Sequence, residues 1–214
     1  MYMPFQPASS FTSFQYDASS VDLQGWNGEA PILCESIVAR NAKRVLDVGV
    51  WKGQSTINMA KTLKDNNIDG KVYAVDTWLG NPEMWLDSID PNHFASLKCV
   101  NGYPSFYYTF LANVFDNAVQ DYVIPVPSTS ESAYHMFSIL GYTFDVIHID
   151  AAHQYEPAKR DMENYWNLVA PGGVMICDDY SQHWPSVVKA VDDFAKDRNL
   201  SVEENHLKAV IVKK

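Results

Sequence analysis

The chain has 214 residues, enough for one well-buried α/β domain and too few for two full-sized ones. Its net charge is −10, and Lys and Arg form no cluster. Proteins that grip nucleic acid neutralise phosphates with basic side chains, so a polyphosphate partner is not expected. The three cysteines, Cys34, Cys99 and Cys177, show neither a disulfide framework nor zinc-ligand spacing.

The opening MYMPFQPASS lacks the basic-then-apolar order of a secretory signal, and no apolar run is long enough to span a bilayer. A cytoplasmic protein without membrane partners is the expectation. Residues 1–27 read as an irregular arm. Its aromatics Phe5, Phe11, Phe14 and Tyr16 would be costly to leave in water, so they should pack on the domain or on a second subunit, and a homodimer is one expectation.

The rest, 28–214, reads as one domain. Ile32, Leu33, Ile37 and Val38 recur at helical spacing and predict a helix over about 28–41. A β-type run, RVLDVGV, precedes a helix at about 53–65, and KVYAVDTW is a second strand. Residues 78–103 are a long connection rich in Pro, Asn, Asp and Gly. Helices at about 105–119 and 130–140 flank a short strand near 122–126. The strand FDVIHID, a helix at about 155–168, the strand GVMICDDY and a helix at about 185–198 follow. The tail, SVEENHLKAVIVKK, has a turn-like centre and predicts an antiparallel hairpin. Alternating strands and helices imply parallel crossover units with helices on both sheet faces. The predicted fold is therefore a Rossmann-like, seven-stranded α/β sheet, mostly parallel, closed by that hairpin.

VLDVGVWKGQST sets Asp47, Gly49 and Gly53 in an Asp-x-Gly-x-x-x-Gly pattern. Gly49 permits a tight turn and a close approach of backbone. Gly53 opens a helix whose free N–H groups favour a carboxylate, and Asp47 can accept hydrogen bonds from an ammonium group. The turn therefore suits the amino-acid end of a ligand. A dinucleotide turn would place its second Gly where Trp51 stands, which disfavours a nicotinamide oxidoreductase. Asp76 ends the second strand, where one carboxylate can accept both hydroxyls of a ribose.

Asp150 ends the fourth strand, with His153 shortly after, and Asp178 and Asp179 end the fifth. Three convergent carboxylates repel one another and call for a hard divalent cation, with Mg²⁺ the natural choice. Either His153 or Asp150 could serve as a base. His148, in mid-strand, reads as a hydrogen-bonded core residue.

Together VLDVGVWKG, VYAVDTW, FDVIHIDAAHQYE and LVAPGGVMICDDY resemble the class I S-adenosylmethionine-dependent methyltransferases, and look closest to methyltransferase family 24. That branch is similar to the metal-dependent macrolide-sugar O-methyltransferases. The resemblance implies that Asp47, Gly49 and Gly53 hold the methionine moiety and Asp76 the ribose. Trp78 would border the adenine, with Ser130 and Ser128 beside it, although Ser128 stands where relatives often carry Gly. It further implies that Asp150, Asp178 and Asp179 bind Mg²⁺, with Asp150 also close to the methyl donor and His153 as a base. The activity implied is methyl transfer to a hydroxyl of a small molecule, such as a sugar or polyol-bearing metabolite. A metal-independent methyltransferase acting on another nucleophile and a non-catalytic binding domain are the competing readings.

Overall fold

A computed structural model describes residues 10–86 and 91–214; Phe5 and the stretch 87–90 of the long connection lie outside them. Seven strands form one sheet: β1 (Arg44–Val48), β2 (Lys71–Asp76), β3 (Val123–Pro127), β4 (Phe144–Ile149), β5 (Val169–Cys177), β6 (Glu203–Asn205) and β7 (Lys208–Val212). Their spatial order is β3-β2-β1-β4-β5-β7-β6. The first five are parallel, whereas β7 runs antiparallel between β5 and β6. The order reverses beside β1, and such a switch point opens a crevice at the carboxyl ends of the strands.

Strict alternation along each strand divides the core in two. Val45, Val72, Ala74, Val146, Val174 and Ile176 face helices α1 (Pro31–Arg40), α2 (Gln54–Asp65) and α5 (Phe106–Asp116). Leu46, Val48, Tyr73, Ile147, Ile149, Met175 and Cys177 face α6 (Ser130–Ile139), α7 (Tyr155–Trp166) and α8 (Pro185–Asp197). Both faces are apolar because crossover helices cover both. The predicted architecture and hairpin are what the structure shows.

Two details differ from the sequence reading. The long connection carries two short helices, α3 (Pro82–Trp85) and α4 (Pro91–Ser96), and a bridge between Val100 and Tyr103. Pro82 at the first helical position and Asn81, whose side chain accepts the Met84 N–H at 3.0 Å, start α3. β5 also begins earlier than expected, at Val169, with a register shift against β4 that absorbs its Pro-Gly-Gly.

The described part of the arm folds back on the domain. Phe11 enters the core, Tyr16 stacks on Phe115 at 5.0 Å, and its hydroxyl donates to Asp116 at 2.7 Å. Lys52, almost wholly buried, pairs with Asp22 at 2.6 Å.

Candidate active site

The turn from β1 into α2 is built by close backbone packing. Gly49 has φ +85°, and a Cβ there would stand 1.8 Å from the Asp150 carbonyl oxygen, so only glycine lets β1 and β4 end this close together. Gly53, at φ +98°, caps α2, and a Cβ on it would strike the Phe110 ring at 2.8 Å. Between them Trp51 adopts φ +54°, a left-handed conformation costly for a bulky side chain. Asp76 restrains it: one carboxylate oxygen accepts the N–H groups of Val50 and Trp51, both at 2.9 Å. The other accepts the Trp78 N–H at 2.8 Å. Burial pushes the Asp76 carboxyl above its usual pKa, and these backbone donors hold it back.

Several of the predicted residues engage other protein groups. Asp47 is 0 % exposed; its oxygens accept from Ser55 Oγ at 2.8 Å and Thr56 Oγ1 at 2.5 Å and meet His148 Nδ1 at 2.8 Å. It lies beneath the turn and braces the first turn of α2, with no face toward an ammonium group. Trp78 is 2 % exposed, packed on Tyr107 and Phe110, with its indole N–H donated to the Trp51 carbonyl at 3.0 Å. A left-handed φ of +50° turns it into the core instead of along the rim. Ser130 Oγ donates to Asp161, and its carbonyl accepts from Tyr165 at 2.8 Å, so Ser130 is directed at α7. Ser128 continues the β3 ladder, giving its N–H to the Asp76 carbonyl at 2.9 Å.

At the ends of β4 and β5, Asp150, His153 and Asp179 each offer an atom within 4.8 Å of the others. The Asp150 N–H bonds the Val48 carbonyl at 2.8 Å, and the Asp178 N–H bonds the Ile149 carbonyl at 2.9 Å, carrying the ladders one residue past the strands. His153 Nε2 lies 2.9 Å from Asp179, and its ring stacks on Trp184 at 4.0 Å and 28°. A small cavity touches all three and Asp178 as well, with Ala152, Cys177 and Met162 on its apolar side. Helix α3 lies over this corner, since Gln154 reaches Glu83 at 3.2 Å.

Electrostatics separate Asp150 from Asp178. Asp150 is pushed up to about 7 by burial and by the charges of Asp178 and Asp179, placing its proton exchange near neutrality. His153 is raised by its hydrogen bond to Asp179 against the opposing effect of burial. Asp178 behaves in the opposite way: burial would raise it, but His148 and Lys208 together hold it well below the usual carboxylate range. Asp178 lines the same cavity as Asp150 and Asp179 but stands outside their cluster of converging ligand atoms. Its carboxylate points to Lys208, a fully buried cation that the sequence reading overlooked. The available signal was a single charged residue on the inward parity of LKAVIV, two positions from the buried Val210. His148, as expected, is a buried, hydrogen-bonded core residue.

A switch-point crevice above a seven-stranded sheet with an antiparallel β7, a Gly-bearing turn after β1 and an acid ending β2 define a class I S-adenosylmethionine-dependent methyltransferase. The methyltransferase family 24 profile, described as a methyltransferase domain, matches residues 46–180, and the chain belongs to that family. Among solved structures it is similar to the O-methyltransferase NovP, at 19% identity and a TM-score of 0.65, covering 88% of this chain and 78% of that one. It is also similar to an O-methyltransferase from Bacillus cereus in complex with SAH, at 16% identity and a TM-score of 0.62, covering 97% and 86%. Over 72 residues it is 33% identical to uncharacterized protein R132 of Acanthamoeba polyphaga mimivirus, a match spanning 33% of each chain. No helix among the described residues is long and apolar enough to cross a membrane.

Proposed function

We propose that this enzyme transfers the methyl group of S-adenosylmethionine to a hydroxyl of a small molecule, a sugar or polyol-bearing metabolite, with a divalent cation, Mg²⁺, held at the rim. The observation that carries this reading is the contact of Gly49 with the Asp150 carbonyl, which sets the turn after β1 directly beside Asp150, His153 and Asp179. A group seated on the turn and a group seated on the acids are then close enough to react.

On the donor side, Gly49, Gly53 and the first turn of α2 would receive the methionine carboxylate. Asp47 acts from beneath, through Ser55 and Thr56. One Asp76 oxygen is filled by the Val50 and Trp51 N–H groups, so a ribose hydroxyl would be received at the other, which accepts the Trp78 N–H. On the acceptor side, two carboxylates plus an acceptor oxygen and waters match what Mg²⁺ takes, so Asp150 and Asp179 fit that ion. When bound, the donor supplies a sulfonium-activated methyl group, and Mg²⁺ lowers the pKa of the acceptor hydroxyl. With Nε2–H given to Asp179, His153 Nδ1 carries the free lone pair and takes the hydroxyl proton. Asp179 then holds the imidazolium, and Trp184 fixes the ring plane. On this reading the C–S bond of the donor would break as the C–O bond forms, and the donor would leave as a neutral thioether. The three cysteines are free thiols, which suits a cytoplasmic enzyme.

The test is calorimetry with S-adenosylmethionine, followed by measurement of S-adenosylhomocysteine formation over a panel of hydroxylated sugars and polyols, with and without EDTA. Donor binding together with EDTA-sensitive turnover supports the reading. A folded protein that takes up no donor refutes it, and turnover indifferent to EDTA refutes the cation.

A further inference from the structure

Four ionisable side chains form a continuous buried row just below the carboxyl edge of the sheet. Asp47 and His148 are register neighbours on β1 and β4. Asp178 lies two residues beyond Ile176, the β5 partner of His148, and Lys208 lies two residues before Val210, the β7 partner of Ile176. All four therefore project on the same face. Asp47 and Lys208 are 0 % exposed, as is His148, and Asp178 is 5 % exposed. His148 bridges the carboxylates, with Nδ1 at 2.8 Å from Asp47 and Nε2 at 3.5 Å from Asp178. Lys208 Nζ closes the row on the same Asp178 oxygen. Two acids meet two bases.

The hairpin that delivers Lys208 is strained for that placement. His206 and Leu207, its two turn residues, have φ +51° and +64°, a conformation such hairpins normally reserve for Asn and Gly. The turn is held from outside, because the Tyr180 N–H bonds the Leu207 carbonyl at 2.8 Å and Asn27 Nδ2 bonds the His206 carbonyl at 2.8 Å. Strained backbone persists where the surroundings over-determine it.

We infer that Lys208 is a built-in counter-ion that withdraws Asp178 from the cation-binding rim, leaving Asp150 and Asp179 as the carboxylate ligands, and that Asp178 positions Asp179 instead of binding the ion. The inference rests on the cation reading above. Asp178 cannot turn toward the rim without stranding a fully buried ammonium, which is unfavourable. Its second oxygen already accepts the Asp179 N–H at 2.8 Å and so fixes the residue whose side chain faces Asp150 and His153. Positioning runs from hairpin to Lys208, to Asp178, to Asp179.

The probe is Mn²⁺ alone, titrated into full-length protein and followed by calorimetry and by electron paramagnetic resonance. S-adenosylhomocysteine binding and circular dichroism report folding. The double variant Asp178→Asn with Lys208→Met removes both charges at once, and Asn can still accept the Asp179 N–H; it should bind Mn²⁺ within about threefold of wild type. Asp179→Ala, which removes the ligand oxygen, should abolish binding. Asp178→Leu with Lys208→Met removes the acceptor and should weaken Mn²⁺ about tenfold, as loss of a ligand-orienting group does. Loss of Mn²⁺ binding in the Asn–Met variant as complete as in Asp179→Ala makes Asp178 a ligand and overturns the inference. An unchanged Leu–Met variant overturns the positioning. If wild type binds S-adenosylhomocysteine and no Mn²⁺, the cation reading itself fails and this inference falls with it.

Discussion

His148 Nδ1 sits 2.8 Å from the Asp47 carboxylate, with neither group exposed, so the strand bearing the acid rim is tied to the strand bearing the donor turn. Burial and the Lys208 charge oppose protonation of His148, but its hydrogen bonds to Asp178 and Asp47 prevail and push its pKa from 6.5 to about 9. A base with a raised folded-state pKa binds its proton more tightly when folded. The stability it contributes is complete below pH 6.5 and is lost as pH climbs to about 9. Urea unfolding should therefore show stability falling across that window, by at most about 3 kcal/mol. His148→Gln should flatten this slope. An equal slope in the variant assigns it to other groups.

Gly49→Ala tests the contact that joins the two halves of the site. The substitution forces a side chain into a left-handed backbone, at about 1–2 kcal/mol. It also drives a methyl into the Asp150 carbonyl, where overpacking adds about 1–3 kcal/mol. Urea denaturation should show a loss on the order of 2–5 kcal/mol. Calorimetry on any folded fraction should show weakened S-adenosylhomocysteine binding. A variant as stable as wild type would mean that the ends of β1 and β4 are not packed this tightly.

The fold was legible because it is written in local patterns. Alternating strands such as RVLDV and KVYAVD, helices of amphipathic spacing and one Gly-bearing turn specify a parallel sheet without distant information. Legibility ended where a single backbone angle decides direction. Trp78 follows a strand-ending acid as a rim residue would, yet φ +50° turns it inward. Asp178 and Asp179 are adjacent and chemically alike. Strand alternation keeps Asp178 on the face of His148, whereas φ +59° at Asp179 breaks the alternation and carries it to the rim. Lys208 is thirty residues from its partner, and only the crossing of β7 beside β5 brings them together. Asp47 keeps its place in the motif but exerts its effect through Ser55 and Thr56.

The β6–β7 hairpin offers a gain of stability. Replacing His206–Leu207 by Asn-Gly installs residues that accept positive φ at both positions, and leaves Lys208 untouched. Relief of left-handed strain should raise stability by about 1–2 kcal/mol, seen as a higher urea midpoint at unchanged slope. No gain would imply that packing of the Leu207 side chain offsets the relief.

Asp76→Asn tests the donor site. The amide oxygen can still accept the Val50 and Trp51 N–H groups, but the amide nitrogen then faces the Trp78 N–H, so the protein should fold with a loss of about 1–3 kcal/mol. What changes is charge: hydrogen bonds to a carboxylate contribute about 1.5–3 kcal/mol, roughly twice a neutral bond. If Asp76 receives a ribose hydroxyl, S-adenosylhomocysteine affinity should fall on the order of 3–10-fold. Because burial raises the Asp76 pKa, wild-type affinity should also weaken on acidification sooner than an ordinary aspartate would dictate, and the variant should lose that dependence. Unaltered affinity in a stable Asp76→Asn protein would confine Asp76 to bracing Trp51 and Trp78, and the nucleoside would have to be held elsewhere.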